Sequence, residues 1–312
     1  MKVISEKFMI DDEKFMRRCI QLAKNGQRNA KPNPMVGAVI VSADGRVIGE
    51  GYHVRCGEGH AEVNAFSSVR PEDEKLLSEA TIYVSLEPCS HYGKTPPCAD
   101  LIIKKGVKRV VVGCIDEFAE VQGRGIKKLR EAGIEVEVGV LEAECQELNR
   151  RFFTFHREER PYIILKWAQT ANGFIDDHFQ PVQISNEFTK MLSHKLRAEE
   201  DAILVGRVTE ERDRPQLNVR EWRGPAPKRL VIDHAHPLNL ESLYAHHIQS
   251  LIVEGGAKTL ASFIEQDLWD EIRVETSLMT VTDGTRAPQV PSGAKVVKSE
   301  TYDGNRIVTF RR

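Results

Sequence analysis

The sequence lacks an excess of charge of either sign, because 44 Lys and Arg residues face 46 Asp and Glu residues among 312 and leave a net charge of −2. A chain so balanced has no global attraction to a polyanion, which argues against a dedicated nucleic-acid or membrane-surface binder. Aromatic residues are also few, at 7%, whereas single-strand binders need stacking aromatics beside basic grooves. The composition therefore favours small-molecule chemistry.

Long hydrophobic runs are missing as well. Charges interrupt the first residues, MKVISEKFMIDDEKFMRR, every few positions, so they lack the apolar core of a signal peptide. No segment approaches the roughly 20 apolar residues of a membrane span. Six cysteines are spread through the chain, and without an export signal we expect reduced thiols, so that clustered cysteines indicate metal binding. We expect a cytoplasmic protein with no membrane and no nucleic-acid partner.

The length predicts two domains of about 150 residues, with a single domain left open. In the first half, a capped helix at 12–25 precedes alternating strands and helices. The predicted strands are 36–42, 46–52, 81–86, 108–114 and 134–140, and the predicted helices are 60–69, 98–105 and 125–132. This alternation is typical of a layered α/β domain. A charged helical stretch at 142–159 ends before Pro161, which places the domain boundary near Arg160.

The second half repeats the alternation and predicts a second α/β unit. Its predicted strands are 162–169, 202–205, 229–233 and 250–254, and its predicted helices are 187–199 and 258–266. From Val281 onward, the mixture of Gly, Pro, Thr and Val favours strands and turns.

One histidine and two cysteines form a candidate metal site. His60 begins a predicted helix, Cys89 follows a strand, and Cys98 opens the next helix. One imidazole and two thiolates are ligands that zinc prefers, and the fourth tetrahedral position stays open for water, as in catalytic sites. Zinc lowers the pKa of such a water toward 7. Each residue alone is better explained as a buried packing side chain, but together they predict zinc.

Glu62 lies two positions beyond His60, within reach of the zinc-bound water but not itself a ligand. We expect Glu62 to take a proton from the water and to deliver protons so that ammonia can leave. His-x-Glu followed by Pro-Cys is typical of zinc deaminases that act on bases. The sequence therefore predicts a deaminase with Glu62 as the catalytic residue. The alternative is an incidental surface carboxylate on a non-catalytic, zinc-stabilised interaction protein.

Three motifs in the first half occur in a recognisable order: PNPMVG at 32–37, HAE at 60–62 and CSHYGKTPPC at 89–98. They resemble the first domain of the bifunctional riboflavin-biosynthesis deaminase/reductase family, over most of residues 10–150. The resemblance implies a three-layer αβα, cytidine-deaminase-like domain in residues 1–150. It also implies substrate contacts from Asn33, His91, Lys94 and Asp116, of which Asn33 would bind the pyrimidine. For Lys94, a solvated loop lysine is an equal alternative.

Four segments of the second half also follow one pattern: KWAQTANG at 166–173, HKLRA at 194–198, DAILVGRVT at 201–209 and DRPQLNVR at 213–220. They resemble the family's second domain, which is similar in fold to dihydrofolate reductase and would occupy residues 160–312. Asn172 stands where the family usually has aspartate. The resemblance implies two sets of binding residues. The substrate set is Lys166, Arg197, Asp213, Arg220 and Glu254, and the NADPH set is Ala168, Thr170, Ser185, Gly206, Thr209, Gly255 and Gly256.

Two of these assignments have ordinary alternatives. Gly255 and Gly256 join a predicted strand to a helix, a geometry that lets backbone amides approach a phosphate, but a tight turn needs the same residues. Arg197 has charged neighbours, which also suit a solvated helix face.

The second domain appears shortened when it is compared with that family. About twenty residues separate Asp233 from Glu254, enough for one crossover but short of the strand-helix unit that the family places there. Three explanations stay open. The chain is a compact variant that binds NADPH with a reduced pocket, the sequence omits a segment, or the second domain has become mainly structural.

The leading hypothesis is a two-step enzyme that binds zinc and NADPH. It would hydrolyse the amine of a phosphoribosylamino diaminopyrimidinone and then reduce the ribose to a ribityl chain, with Lys166 and Asp213 giving polar assistance. The resemblance further implies a homo-oligomer, a dimer or a tetramer. The alternative is a zinc-dependent nucleobase or nucleic-acid deaminase whose C-terminal accessory domain no longer reduces.

Overall fold

The structure is a computed structural model that describes residues 11–92, 96–116, 123–233 and 235–312. The chain divides into two compact units, of which the first ends at Arg157 and the second begins at Glu158. None of the helices in the described ranges has the length and apolar character that crossing a bilayer requires.

The first unit is built on a five-stranded sheet in the order β2-β1-β3-β4-β5. Its strands are β1 (Gly37–Val41), β2 (Val47–Tyr52), β3 (Thr81–Leu86), β4 (Arg109–Cys114) and β5 (Glu135–Val138). Its helices are α1 (Asp12–Ala23), α2 (Ala61–Ser67), α3 (Cys98–Lys105), α4 (Arg124–Glu131), α5 (Glu142–Leu148) and α6 (Arg150–Glu158). β1 pairs antiparallel with β2 and β3, whereas β3, β4 and β5 run parallel.

Helices cover both faces of this sheet, because its central strands are apolar on both sides. Residues of α2, α3 and α4 pack with one set of strand side chains, and residues of α1 and α5 pack with the other. The side chain of Asp11 accepts a hydrogen bond from the backbone of Lys14 and so caps α1. These layers confirm the predicted three-layer αβα fold.

The second unit is built on a seven-stranded sheet in the order β11-β12-β10-β6-β9-β7-β8. Its strands are β6 (Tyr162–Gln169), β7 (Ala202–Gly206), β8 (Lys228–Ile232), β9 (Ser250–Val253), β10 (Glu271–Thr276), β11 (Lys295–Tyr302) and β12 (Asn305–Arg311). Its helices are α7 (Glu187–Glu199), α8 (Arg207–Asp213), α9 (Leu240–Ala245) and α10 (Ala257–Glu265).

The central strands β10, β6, β9, β7 and β8 are parallel, so their carboxyl ends share one edge of the sheet. The buried strands β6, β7 and β9 separate two apolar clusters, one of which includes α10 and the other Leu196 of α7. This arrangement places the segments that follow β6, β7 and β9 next to one another, where ligands of open α/β sheets bind.

The structure corrects three sequence predictions of local structure. The helical stretch predicted at 142–159 is two helices that are separated at Asn149. Helices α8 and α9 were not predicted, because both are short. Strand β10 was also missed, although its burial and its parallel pairing with β6 make it part of the core.

Candidate active sites

The three predicted metal ligands come together in the first unit. His60 is the residue that precedes α2, Cys98 begins α3, and Cys89 lies in the loop between β3 and α3. The Nδ1 atom of His60 lies 3.5 Å from the Sγ of Cys89 and 3.3 Å from the Sγ of Cys98. All three donor atoms lie within 4.8 Å of one another. Their type and spacing fit a zinc ion with an open fourth position.

The electrostatics of this cluster favour a thiolate. Hydrogen bonds from the Cys98 thiol and from His60 lower the pKa of Cys89 to about 4, although burial opposes this shift. Sharing a proton with the Cys89 sulfur raises the pKa of Cys98, and burial adds to that shift. A second anion so close to the first needs a cation to balance it, which a divalent metal supplies.

Glu62 lies in the first turn of α2 and lines a cavity together with His60 and Cys89. Only 3% of the surface of Glu62 is exposed. Burial raises the pKa of Glu62 to about 7, and the nearby Cys89 sulfur adds to the shift. A carboxyl group whose pKa lies near neutrality exchanges protons readily in both directions, as a general acid and base must.

A cavity of about 430 Å³ is lined by His60, Cys89 and Glu62, and its volume admits a ligand larger than water. Asn33, His91 and Asp116, the predicted substrate contacts, all line it. Lys94, the fourth, lies outside the described residues. The structure thus brings three of the four predicted contacts into the cavity that His60 and Cys89 also line.

His53 also lines this cavity, and no motif in the sequence predicted it. The Nδ2 atom of Asn33 lies 3.1 Å from the Nε2 of His53, and the Nδ1 of His53 lies 3.2 Å from the carbonyl oxygen of Gly59. If Nδ1 carries the proton, His53 donates to Gly59 and accepts from Asn33. Burial lowers the pKa of His53, which favours this neutral form. The contact fixes which way the Asn33 amide faces.

Phe152 and His156 of α6 were missed as well, and both line the cavity. They lie in the predicted helical stretch at 142–159, beyond residue 150, where the first domain is predicted to end. Only the folding of α6 against the sheet reveals them.

In the second unit, the predicted cofactor-binding residues follow neighbouring strands. Ala168 and Thr170 lie at the end of β6, Gly206 ends β7, and Gly255 and Gly256 follow β9. Because these strands are parallel neighbours, the five residues lie at one edge of the sheet. Ser185 lies beside the end of β10, where its hydroxyl donates to Glu275 over 2.7 Å.

The turn before α10 is tight. A Cβ on Gly206 or Gly255 would lie 2.4 or 2.7 Å from side-chain atoms of Thr259, so glycine lets the helix start close to both strand ends. Thr209 accepts a hydrogen bond from the backbone amide of Gly256 over 3.0 Å. Glycines at the N-terminal end of a helix, beside parallel strand ends, fit the phosphates of a dinucleotide such as NADPH.

The predicted substrate residues of the second unit fall into two groups. Arg197 and Glu254 form a two-pronged ion pair with contacts of 2.7 and 3.1 Å, and Lys166 lies close enough to help hold the pKa of Glu254 low, against the effect of burial. Asp213 pairs with Arg212 at 2.6 Å, and Arg220 is exposed. Arg197 is therefore not on a solvated helix face.

Comparisons with known proteins agree with both sites. Residues 9–114 match the cytidine and deoxycytidylate deaminase zinc-binding region, and residues 161–241 and 236–277 match the RibD C-terminal domain. The riboflavin biosynthesis protein RibD of Aquifex aeolicus is 38% identical over 96% of this chain and 98% of its own length. The chain belongs to the RibD family. It is a bifunctional deaminase and reductase of riboflavin biosynthesis, as predicted, and its cofactors are zinc and NADPH.

Two further RibD family members extend the comparison. The RibD protein of Bacillus amyloliquefaciens is 34% identical over 90% of this chain and 88% of its own. The crystal structure of a diaminohydroxyphosphoribosylaminopyrimidine deaminase/5-amino-6-(5-phosphoribosylamino)uracil reductase from Thermotoga maritima is 36% identical, with a TM-score of 0.87 over 96% of this chain and 98% of its own. The nucleic-acid deaminase alternative is not favoured by these matches.

The match to the RibD C-terminal domain falls into two segments, 161–241 and 236–277. They overlap within the stretch between Asp233 and Glu254, for which the resemblance to the family predicts a shortened connection. In the structure, this stretch holds one crossover helix, α9, between β8 and β9, and β8 is the last strand at its edge of the sheet.

Proposed function

We propose that the first unit removes the ring amine of a phosphoribosylamino diaminopyrimidinone by hydrolysis, and that the second unit reduces the ribose of the product to a ribityl chain with NADPH. The observation that carries the proposal is the cluster of His60, Cys89 and Cys98 beside a cavity that the buried Glu62 lines together with His60 and Cys89. The two activities named for the Thermotoga maritima protein support the same order of reactions.

In the deaminase, His60, Cys89 and Cys98 would hold zinc, which supplies a water with a lowered pKa. Glu62 would accept a proton from that water and return protons to the substrate, so that the amine leaves as ammonia. Its pKa of about 7 suits both directions of transfer at neutral pH. Because Glu62 is only 3% exposed, bulk water has little access to its carboxyl group.

The remaining deaminase residues bind and orient the substrate. The amide of Asn33, whose orientation His53 fixes, offers a donor and an acceptor to the edge of a pyrimidine. We propose that His91 and Lys94 contact the region of the ribose phosphate and that Asp116 adds a polar contact. The position of His91 and Asp116 in the wall of the cavity supports these assignments.

In the reductase, NADPH supplies the hydride. We propose that Ala168, Thr170, Gly206, Thr209, Gly255 and Gly256 hold it, with Ser185 at the margin of the site. Lys166, Arg197, Asp213, Arg220 and Glu254 would hold the substrate. Since Arg197 and Glu254 form one buried pair, and Nη1 of Arg197 also donates to the carbonyl oxygen of Asn218 over 3.4 Å, the two residues would act as one unit toward the phosphate.

Two broader predictions belong to the same proposal. We propose a cytoplasmic location, supported by the six free cysteines. We also propose a homo-oligomer, either a dimer or a tetramer, which light scattering on the purified protein would test.

The substitution Glu62→Gln tests the deaminase. We expect the variant to keep one zinc per chain, because Glu62 is not a ligand, and to lose ammonia release by about 100-fold or more, because it no longer transfers protons. Ammonia release by the unaltered protein should not require NADPH, whereas formation of the ribityl product should. Unchanged deamination by the variant would contradict the assignment of Glu62. If the unaltered protein releases ammonia but does not form the ribityl product with NADPH, the second unit has a mainly structural role.

A further inference from the structure

Helix α6 contributes two rings to the wall of the deaminase cavity. Phe152 and His156 are four residues apart and therefore lie on the same face of the helix. Their ring centroids are 4.4 Å apart with the planes inclined at 62°, and both side chains line the cavity that contains Glu62 and His60. The face of α6 that carries them is thus directed toward the space where the substrate would bind.

The start of α6 is tied to the loop that carries Asn33. Asn149, which is only 2% exposed, accepts a hydrogen bond from the backbone N–H of Met35 over 2.8 Å. Its Nδ2 atom also donates to the carbonyl oxygen of Met35 over 2.9 Å. One buried amide therefore uses both its donor and its acceptor on a residue that is two positions from Asn33.

The rest of α6 is firmly anchored, so its inner face has a defined position. Phe153 is buried in the apolar cluster that α1 and α5 form with the sheet, and Phe155 is also buried. Phe152 packs in part against the same apolar cluster, and both Phe152 and His156 line the cavity. Their shared wall offers an apolar ring and an imidazole ring.

A substrate made of a flat pyrimidine and a polar sugar phosphate matches such a wall. Aromatic rings contact bases through their faces and edges, and an imidazole hydrogen-bonds to ring or sugar oxygens and nitrogens. We propose that Phe152 and His156 contact the deaminase substrate, and that Asn149 is a positioning residue that holds this wall in register with Asn33. The inference rests on the deaminase function proposed above and deepens it.

The wall is tested with the zinc-loaded, full-length protein and the variants Phe152→Leu and His156→Gln. Ammonia release is measured without NADPH, over a range of concentrations of the phosphoribosylamino pyrimidine. Removal of one stacking contact to a base costs from about fivefold to about a hundredfold in binding. We therefore expect KM to rise about tenfold in each variant, with kcat within about twofold and zinc content unchanged.

The control is Arg157→Gln, on the same helix but exposed, which should leave KM unchanged. A KM within twofold of the unaltered protein in both test variants would overturn the proposed contact. Equal losses of kcat and of zinc would also overturn it, because they would show that the rings only support the fold of the metal site.

Asn149 is tested by its coupling to Asn33. Asn149→Asp keeps the acceptor for the Met35 amide but loses the donor, and Asn149→Ala loses both. If Asn149 acts through the Asn33 loop, each variant should raise the KM of deamination, and the effect should largely disappear in an Asn33→Ala background. Reductase turnover of the deaminated compound should not change. Effects that simply add in the double variants would refute the positioning role.

Failure of the proposed function gives a different result. If the unaltered protein releases no ammonia from this compound, the proposed reaction is wrong. Calorimetric binding of the same compound to the zinc-loaded protein then tests the wall by itself. A dissociation constant about tenfold weaker in Phe152→Leu and His156→Gln supports the contact, and an unchanged or undetectable affinity in all three proteins overturns it.

Discussion

The buried carboxylate of Glu87, two positions before Cys89, provides a quantitative test of how the metal site is held in place. One oxygen, Oε1, accepts from the amides of Gly125 and Ile126 over 2.9 and 3.3 Å. The other, Oε2, accepts from the amides of Gly123 and Asp116 over 2.9 and 3.4 Å. Glu87 therefore caps the N-terminus of α4 from outside that helix.

The substitution Glu87→Gln turns one acceptor into an NH2 group that faces two backbone donors. Whichever way the new amide is oriented, one of the two hydrogen bonds of 2.9 Å, from the Gly123 or the Gly125 backbone N–H, is lost. Because Glu87 is only 5% exposed, that backbone N–H is left without a partner. An unsatisfied buried group costs about 1–3 kcal/mol, and loss of the charge on the other contacts adds to this. We expect a total of about 2–4 kcal/mol.

Thermal unfolding checks this figure. In a unit of about 150 residues, such a loss lowers the Tm of the first unit by roughly 5–12 °C. The control is Glu131→Gln, which removes an exposed carboxylate from the same helix. The Tm of the transition that belongs to the second unit should stay the same. A Glu87→Gln Tm equal to that of the control would refute the idea that this carboxylate fastens α4 to the metal-ligand loop.

Two further predictions concern paired charges. Burial raises the pKa of Asp12, but hydrogen bonds from Arg109 and Tyr83 outweigh burial and hold the pKa below 3.8, so the ionised carboxylate stabilises the fold above that pH and loses its effect as the pH falls. The difference in unfolding free energy between the unaltered protein and Asp12→Asn should therefore shrink from about pH 5 to about pH 2. A difference that does not change with pH would be inconsistent with this. The Glu254→Ala variant should lower the unfolding free energy of the second unit by about 3–5 kcal/mol in urea titrations, because Arg197 is left buried without its partner. The double variant Arg197→Met, Glu254→Leu should recover part of that loss. A loss below about 1 kcal/mol in Glu254→Ala would contradict the reasoning.

The sequence by itself determined the layered fold and the central chemistry. Strands such as β3 and β6 are short apolar runs with clear ends, and their bounds match the predicted 81–86 and 162–169. The cluster of His60, Cys89 and Cys98, which could hold a metal ion, was predictable because such side chains have few functions when they occur together. Local pattern and ligand type need no knowledge of the tertiary structure.

Tertiary structure alone decided which ordinary residues complete the site. Asn149 clamps Met35 across 114 positions of sequence, and the ring of His53 turns the Asn33 amide. Neither contact leaves a local pattern, because an asparagine or a histidine at such a position is equally compatible with solvent. Helix α6 supplies Phe152 and His156 to the cavity only because the chain returns to the sheet after α5. Long-range packing sets those distances, and no short stretch of sequence records it.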